Sequence, residues 1–338
     1  MLTRLHDTRA QACIKTCTKA WLMVLPLVMA VVAPTSQARA EDSLKVAIGQ
    51  INNWENQAPT LGQDAGIFKK HGLLLDNVGT AGAGETVQAV ISGSADIGAG
   101  VGVAGVMRAF SKGAPVRILA PAFTGTGDLY WYVKSDSPLK SLNDTTAANT
   151  IAYSTSGSSS NNIVTAFVDE LHCKAKPTAT GGPPATLTQV MSGQIDIGWA
   201  APPFGLKEIN DGKIRIIAHG SDVPSLRGQT VRVLIVNAEA LKNRRDAINR
   251  FMQGYREAVD WMYASPDAIT MYAKKLKESD EALLKKSISQ FQPKDALQTD
   301  KMADLDGAVR DAVKLKFLDA PLTKEQLAEF IQIPPREK

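Results

Sequence analysis

Cysteine is nearly missing from this 338-residue chain beyond position 40, where Cys173 stands alone. A lone thiol excludes an intrachain disulfide and a cysteine-built metal site. Histidine is scarce as well: past residue 40, His71, His172 and His219 fall at helix and strand ends with no metal-ligand spacing among them. His172 beside Cys173 makes no dyad, because sequence neighbours on a helix point apart. An excess of one charge is also lacking. The formal net charge of +4 resides in the first 40 residues, where Arg4, Arg9, Lys15, Lys19 and Arg39 are set against Asp7 alone. Beyond them acids and bases balance, which removes the electrostatic footprint of a nucleic-acid or anionic-membrane binder. No stretch is low in complexity or reads as a flexible linker.

What is present begins with a leader. The apolar run "WLMVLPLVMAVVA", Trp21 to Ala33, is too short to span a bilayer, follows basic residues and runs into "SQARA". Ala38 and Ala40 are spaced as an export peptidase requires, so residues 1–40 are expected to be a signal peptide cut after Ala40, with the mature chain in the periplasm. Cys13 and Cys17 precede the apolar run, which argues against a lipid anchor.

The mature chain says one thing twice. "VISGSADIGAG" from Val90 is echoed by "VMSGQIDIGWA" from Val190, and Thr80, Gly82 and Thr86 stand opposite Thr180, Gly182 and Thr186. Gly93 and Gly193 are placed to stop a helix, and Asp96 and Asp196 to begin a strand, which makes the aspartates turn residues rather than ligand contacts. Around each copy, apolar strand runs alternate with helical patterns. "SLKVAIGQ", "ADIGA" and "PVRILAPAF" read as strands and "APTLGQDAGIFKKHGL", "ETVQAVISG" and "VAGVMRAFSKG" as helices. The second half repeats the alternation from "TIAYST" to "IRIIAHG", so the duplication marks one structural position in two similar α/β lobes. "LYWYVKSDSPLKSLND" and "TVRVLIVNAEALKN" are expected as the two strands on which the chain crosses over and back. Everything after Ala238 is helical and is expected to pack on the first lobe. The lobes are then residues 41–133 with 232–338, and residues 134–231.

Taken together, "LKVAIGQ…W", "AGIFKKHGLLL", "GAGETVQAVISGSADIG", "SPLKSLND", "IAYSTSGSSS", "VMSGQIDIGWAAPPF" and "YREAVDWMYASPD" resemble the periplasmic solute-binding proteins of ABC importers, in the branch of nitrate, sulfonate, taurine and thiamine-precursor binders. The resemblance covers essentially the whole mature chain. It implies an α/β, two-lobed periplasmic-binding-protein fold of type II with two crossover hinge strands, and a ligand bound between the lobes by hinge closure. It also implies a monomeric receptor that hands its cargo to an ABC permease, with no cofactor, no metal and no catalytic residue. Two alternatives stay open, a binder of a pyrimidine or thiamine precursor and a periplasmic sensory module of the same fold. Pyrimidine-precursor synthases share the resemblance but need a cysteine-rich segment and a donor histidine, which this chain lacks.

Ligands of open α/β sheets bind beyond the carboxyl ends of the strands, where loops lead into helix N-termini. The first such loop, "GQINNW", offers Gln50, Asn53 and a tryptophan, Trp54, suited to walling a cleft. In the second, "GTAGAGE", Thr80, Gly82 and Ala83 are small enough for close backbone approach. The third, "STSGSSSNN", holds Ser154, Ser156, Gly157, Ser158 and Ser159, more hydroxyls than one helix cap uses, and would seat an anionic oxygen. It has no lysine of the nucleotide-binding loop. The repeat's unshared endings meet the cleft, with Val101 in the first and Trp199 and Pro202 in the second. Relatives that bind amine-bearing sulfonates commonly have an acid where Pro202 stands, so the resemblance points away from a zwitterion such as taurine. Arg232 on one crossover can grip a carboxylate or sulfonate. On the other crossover, strand alternation lets only one of Tyr130 and Trp131 face the ligand, and Tyr130 is the candidate. The expected ligand is a small organic anion, a sulfonate or carboxylate, with an apolar or aromatic body.

Overall fold

In a computed structural model, residues 41–278 and 280–336 are described; the expected leader lies outside the described residues. The first lobe opens with β1 (Asp42–Gly49), whose Leu44, Val46 and Ile48 are buried. The single helix expected next is two, α1 (Ala58–Asp64) and α2 (Ile67–Lys70), because Gly66 takes the left-handed conformation at φ 73° between them. Then comes β2 (Leu73–Thr80), a strand the apolar-run reading does not pick out. It lies at the sheet edge, burying Leu73 and Leu75 while Leu74 and Val78 are exposed. α3 (Ala83–Ile91), β3 (Ile97–Gly102), α4 (Val103–Ser111) and β4 (Val116–Thr124) follow as expected.

The chain then enters a second sheet with β5 (Tyr130–Lys134), continuing through β6 (Thr150–Tyr153), α5 (Ser159–Glu170), β7 (Lys176–Ala179), α6 (Pro183–Met191), β8 (Gly198–Ala200), α7 (Leu206–Asn210) and β9 (Ile214–His219). β7 is another exposed edge strand, carrying Lys176 and Pro177, and the sequence pattern passes over it too. β10 (Thr230–Asn237) returns to the first sheet. The helices after it are α8 (Ala238–Asn243), α9 (Arg245–Ala264), α10 (Pro266–Leu276), α11 (Glu281–Phe291), α12 (Leu305–Lys314) and α13 (Lys324–Phe330).

Both lobes are built on one plan. The first sheet has the order β2-β1-β3-β10-β4, with β1 parallel to β2 and β3, and β10 antiparallel to β3 and β4. In the second, β8-β5-β9 and β6-β7 are joined where Ile197 N–H donates to the Thr150 carbonyl (3.0 Å) and Ala152 N–H to the Ile197 carbonyl (2.8 Å). That gives β7-β6-β8-β5-β9, with β5 antiparallel to both neighbours. In each lobe, therefore, the one antiparallel strand is the one that arrives from the other lobe. The expected crossover runs are these strands, and the chain changes sheets over 125–129 and 220–229. β5 lies in the second sheet up to Lys134 and β10 in the first from Thr230, whereas the expected boundaries fell at 133/134 and 231/232.

Apolar cores cover both faces of the first sheet. One is made with α1, α2, α9 and α10, around Leu61, Phe68, Phe251 and Tyr272. The other is made with α3, α4, α12 and α13, around Val106, Met107, Ala312 and Phe330. The second lobe has its own core around Trp131, Ile151, Phe167 and Ile197. The helical tail does not serve the first lobe alone. Leu284 and Ile288 of α11 lie in the first lobe's core, but Phe291, one turn on, lies in the second's, against Tyr130 and His219.

The shared letters of the repeat make the same bonds in both lobes. The Thr80 and Thr86 hydroxyls are 2.6 Å apart and those of Thr180 and Thr186 2.7 Å, while Thr86 and Thr186 donate to the Gly82 and Gly182 carbonyls. Gly93 and Gly193 end their helices at φ 75° and 78°. Asp96 accepts the Lys45 N–H of β1 at 2.8 Å, and Asp196 accepts the Thr150 N–H of β6 at 2.8 Å. The aspartates tie neighbouring parallel strands together. Asp196→Ala, which also removes a bond to the Thr150 hydroxyl, should cost about 1–3 kcal/mol in denaturant unfolding and leave ligand affinity unchanged. Loss of affinity at full stability would make Asp196 a ligand contact instead.

Candidate functional site

Where the carboxyl ends of the two sheets face each other, a small cavity of about 30 Å³ remains between the lobes. From the first lobe it is lined by the turn after β1 (Gln50, Asn53, Glu55 and Asn56), by Ala83 opening α3, by Gly100 in β3 and by Arg232 in β10. Leu129 lines it from the crossover, and Ser154, Ser158, Ser159, Ser160 and Trp199 from the second lobe. The turn is bent by Gln50, which is left-handed at φ 54°, a conformation that non-glycine residues hold only where the surroundings fix it. Gln50 Nε2 then reaches the Ala81 carbonyl at 3.1 Å, and the Asn56 amide the Gly49 carbonyl at 2.9 Å.

Three charges are buried here. Arg232 is 5%, Asp128 0% and Glu55 3% exposed. Arg232 Nη2 donates to Asp128 Oδ2 at 2.5 Å, its Nη1 to Ser159 Oγ at 3.2 Å, and its guanidinium lies 4.4 Å from the centre of the Phe123 ring. The guanidinium is thus matched by Asp128, with Ser159 tied to it across the lobes. Glu55 accepts from Asn53 Nδ2 on Oε1 (3.1 Å) and from Gln292 Nε2 on Oε2 (3.0 Å). Burial, helped by negative Asp128 and opposed by Arg232, pushes the Glu55 carboxyl up to about 7. The other titratable groups it influences are the buried phenols of Tyr255, Tyr263 and Tyr272, all held un-ionised by burial.

The serine turn is a wired cap. Ser158 Oγ accepts the Asn161 N–H as the N-cap of α5. Ser160 Oγ accepts the Ser154 N–H and bonds to both the Ser158 and Ser154 hydroxyls. The hydroxyls hold the turn rigid, and the N-terminus of α5 supplies a positive dipole end at the cavity.

Of the residues expected at a ligand, Gln50, Asn53, Ala83, Ser154, Ser158, Ser159, Trp199 and Arg232 are brought together around this cavity. Ser156 and Gly157 face a neighbouring interlobe hollow beside Gly105 and Arg108. The others are placed elsewhere. Trp54 is 1% exposed, packs edge-on against Tyr263 and Tyr272, and borders a groove between α9, α10 and α11. Thr80 is occupied by Thr86 and the Gly82 carbonyl, Gly82 caps α3, and Val101 is buried in the first lobe's core. Tyr130 is buried in the second lobe, its hydroxyl on the Phe204 carbonyl, and Trp131 is buried beside it with Nε1 on the Ala152 carbonyl. Neither crossover aromatic lines the cavity. The Pro202 carbonyl reaches the site indirectly, accepting from Gln292 Nε2 at 3.2 Å.

Glu55, Asn56, Asp128, Ser160 and Gln292 are polar residues at or beside the cavity that the sequence reading does not single out. Glu55 directly follows the loop that reading singles out, and an acid flanked by Asn, Trp and Asn after a buried strand was the available signal. Asp128 precedes β5 in "TGTGDLYW" and Gln292 follows α11, where nothing local marks them.

Residues 40–269 match the family described as NMT1/THI5 like. No curated protein matches the chain by sequence. Its fold is similar to that of the alkanesulfonate-binding protein SsuA of Xanthomonas axonopodis pv. citri bound to MOPS, at 14% identity and a TM-score of 0.71, over 86% of this chain and 98% of that one. It is also similar to the periplasmic aliphatic sulphonate binding protein SsuA of Escherichia coli, at 16% identity and a TM-score of 0.66, over 88% and 94%. The periplasmic nitrate-binding protein NrtA of Synechocystis PCC 6803 matches at 13% and a TM-score of 0.63, over 85% and 84%. At such identities the likeness shows the fold, that of the periplasmic binding proteins. Among the described residues no helix is long and apolar enough to cross a membrane.

The raised Glu55 carboxyl has a consequence for stability. Between its ordinary 4.5 and about 7, the folded protein holds a proton that the unfolded chain has released. This contribution is fully present below 4.5 and declines as pH rises toward 7. Urea unfolding of the ligand-free protein should therefore show less stability attributable to Glu55 at about pH 8 than at about pH 5, a slope that Glu55→Gln reduces. An unchanged slope in that variant would remove Glu55 as its source.

Proposed function

The chain belongs to the NMT1/THI5-like family, and from that premise we propose that it is the extracytoplasmic solute-binding receptor of an ABC importer. Its ligand is a small organic anion, a sulfonate or carboxylate, bound between the lobes and passed to a permease. The observation that carries the reading is the interlobe cavity, which sets a buried guanidinium and the first turn of α5 around one point. Hydroxyls, amide groups and a helix N-terminus suit an anionic oxygen. The 30 Å³ present is about one water's worth, so the lobes have to part to admit cargo and close again on it.

Closure is supported by the way the lobes meet. The Gly105 N–H donates to the Gly157 carbonyl at 3.1 Å, and a Cβ on Gly105 would stand 2.8 Å from that oxygen. Gly105 lies within α4, where alanine suits the backbone, so Gly105→Ala should prop the lobes apart without unfolding either. We expect about tenfold weaker binding and a larger radius of gyration in small-angle scattering with ligand. Wild-type affinity in this variant would separate binding from this contact.

The function itself is tested by thermal shift on the mature chain with aliphatic and aromatic sulfonates, carboxylates and pyrimidines, since a ligand of the native state alone raises the melting temperature. An anion that stabilises the protein should also change its tryptophan fluorescence, through Trp199 at the cavity and not through Trp54 in the first lobe. The change should vanish in Trp199→Phe and persist in Trp54→Phe. Stabilisation by sugars, with none by any anion, would reject the anion reading.

A further inference from the structure

The interlobe cavity sets one cation against two acids. Arg232 answers Asp128 at 2.5 Å, and among the described residues no second cation lines the space to answer Glu55. A buried carboxylate without a cation is costly and the neutral acid far less so, which makes Glu55 the one of the two acids that keeps its proton. Burial raises the Asp128 carboxyl as well, but Arg232 opposes that directly. The other titratable groups set against Glu55 are the phenols of Tyr255 and Tyr263 on α9 and of Tyr272 on α10, all un-ionised, while Asn53 and Gln292 are its neutral partners. A proton on Glu55 needs an acceptor. Asn53 Oδ1 is buried with no donor among the described residues, and Asn53 lines the cavity beside Glu55. The two ends of a side-chain amide have nearly the same shape, so the 3.1 Å contact between Asn53 and Glu55 Oε1 can run in either direction. With Glu55 ionised, the amide N–H donates to it and Oδ1 is orphaned. With Glu55 protonated, its O–H donates to Oδ1, and the turned amide has its Nδ2 free to donate elsewhere.

We infer that Glu55 and Asn53 form a proton-dependent anion clamp, in which the protonated carboxyl turns the Asn53 amide so that its N–H groups join the N-terminus of α5 around the anionic end of the cargo. Ionisation of Glu55 turns the amide back, sets an acceptor and a negative charge where a donor stood, and drives the anion out. The clamp rests on the anion reading and adds to it that the cargo is held together with a proton. It also accounts for an acid in a cavity that suits an anion. Because the anion binds the protonated form, its presence raises the Glu55 carboxyl further. Affinity is then full well below about 7 and falls by about tenfold per pH unit above it.

The test is titration calorimetry on the mature protein with ethanesulfonate, benzenesulfonate and benzoate, which stay ionised throughout, at about pH 6 and about pH 9. A probe that binds should do so at least about tenfold more weakly at the higher pH, and its binding heat there should vary with the ionisation heat of the buffer, which supplies the proton. In Glu55→Gln, which puts a permanent amide in place of the acid, affinity should be the same at both pH values. A second measurement needs no variant: in infrared difference spectra of the unaltered protein at the higher pH, adding the probe should bring up the carbonyl stretch of a protonated carboxyl. Equal affinity at both pH values, or a pH dependence that survives in Glu55→Gln, overturns the clamp and leaves the anion reading standing. If no probe binds at either pH, both fall.

Discussion

The ion pair between Arg232 and Asp128 is the contact on which the two-lobed arrangement turns. Asp128 lies where the chain first leaves the first sheet and Arg232 just after it returns, so one 2.5 Å bridge ties the outgoing passage to the incoming one. The Gly125 N–H to the Gln229 carbonyl (2.8 Å), and the Thr124 hydroxyl 3.2 Å from that of Thr230, close the same seam. Each partner of a buried pair is costly without the other, about 3–5 kcal/mol when one is removed. The pair therefore fixes the crossovers side by side and, by the same bonds, holds the guanidinium at the mouth of the cavity. The crossover seam and the cavity share their polar groups.

That sharing explains the electrostatics of the cleft. A guanidinium with no acid beside it would be an open anion receptor, but it would also be a buried unpaired charge. With Asp128 in place the charge of the guanidinium is answered within the chain, and the dipole end of α5 is a second positive feature at the cavity.

Much of this was legible in the sequence. Periodicity and glycine stops located most strands and helices, and the repeat announced two lobes because its shared letters specify local bonds that any copy would need. Arg232, the serine turn and Trp199 were legible because strand ends and helix starts are where open sheets bind. The edge strands β2 and β7 were hidden by their exposed faces, which mimic turns. Trp54 misled because a tryptophan in a polar loop has two homes, and the aromatic pair Tyr263 and Tyr272, contributed by α9 and α10 two hundred residues downstream, made the inner one available. Asp128 and Gln292 had no local signature, since their partners are set only by the return of β10 and by the reach of α11 across both lobes.

The matched clamps of Asp96 and Asp196 carry a last implication for how the cavity between the lobes is built. Each fastens the start of its strand to a neighbour's backbone, so the sheet's alignment is settled before the chain arrives at the cavity. Trp199 and Ala200 then pair with Trp131 and Tyr130 of β5, so the register runs on up to the residue that lines the cavity. Trp199, with its ring nitrogen on the Gly181 carbonyl, and Phe204, whose carbonyl accepts from Tyr130, are therefore part of the frame that delivers Trp199 to the cavity, and any other ending there has to keep those bonds.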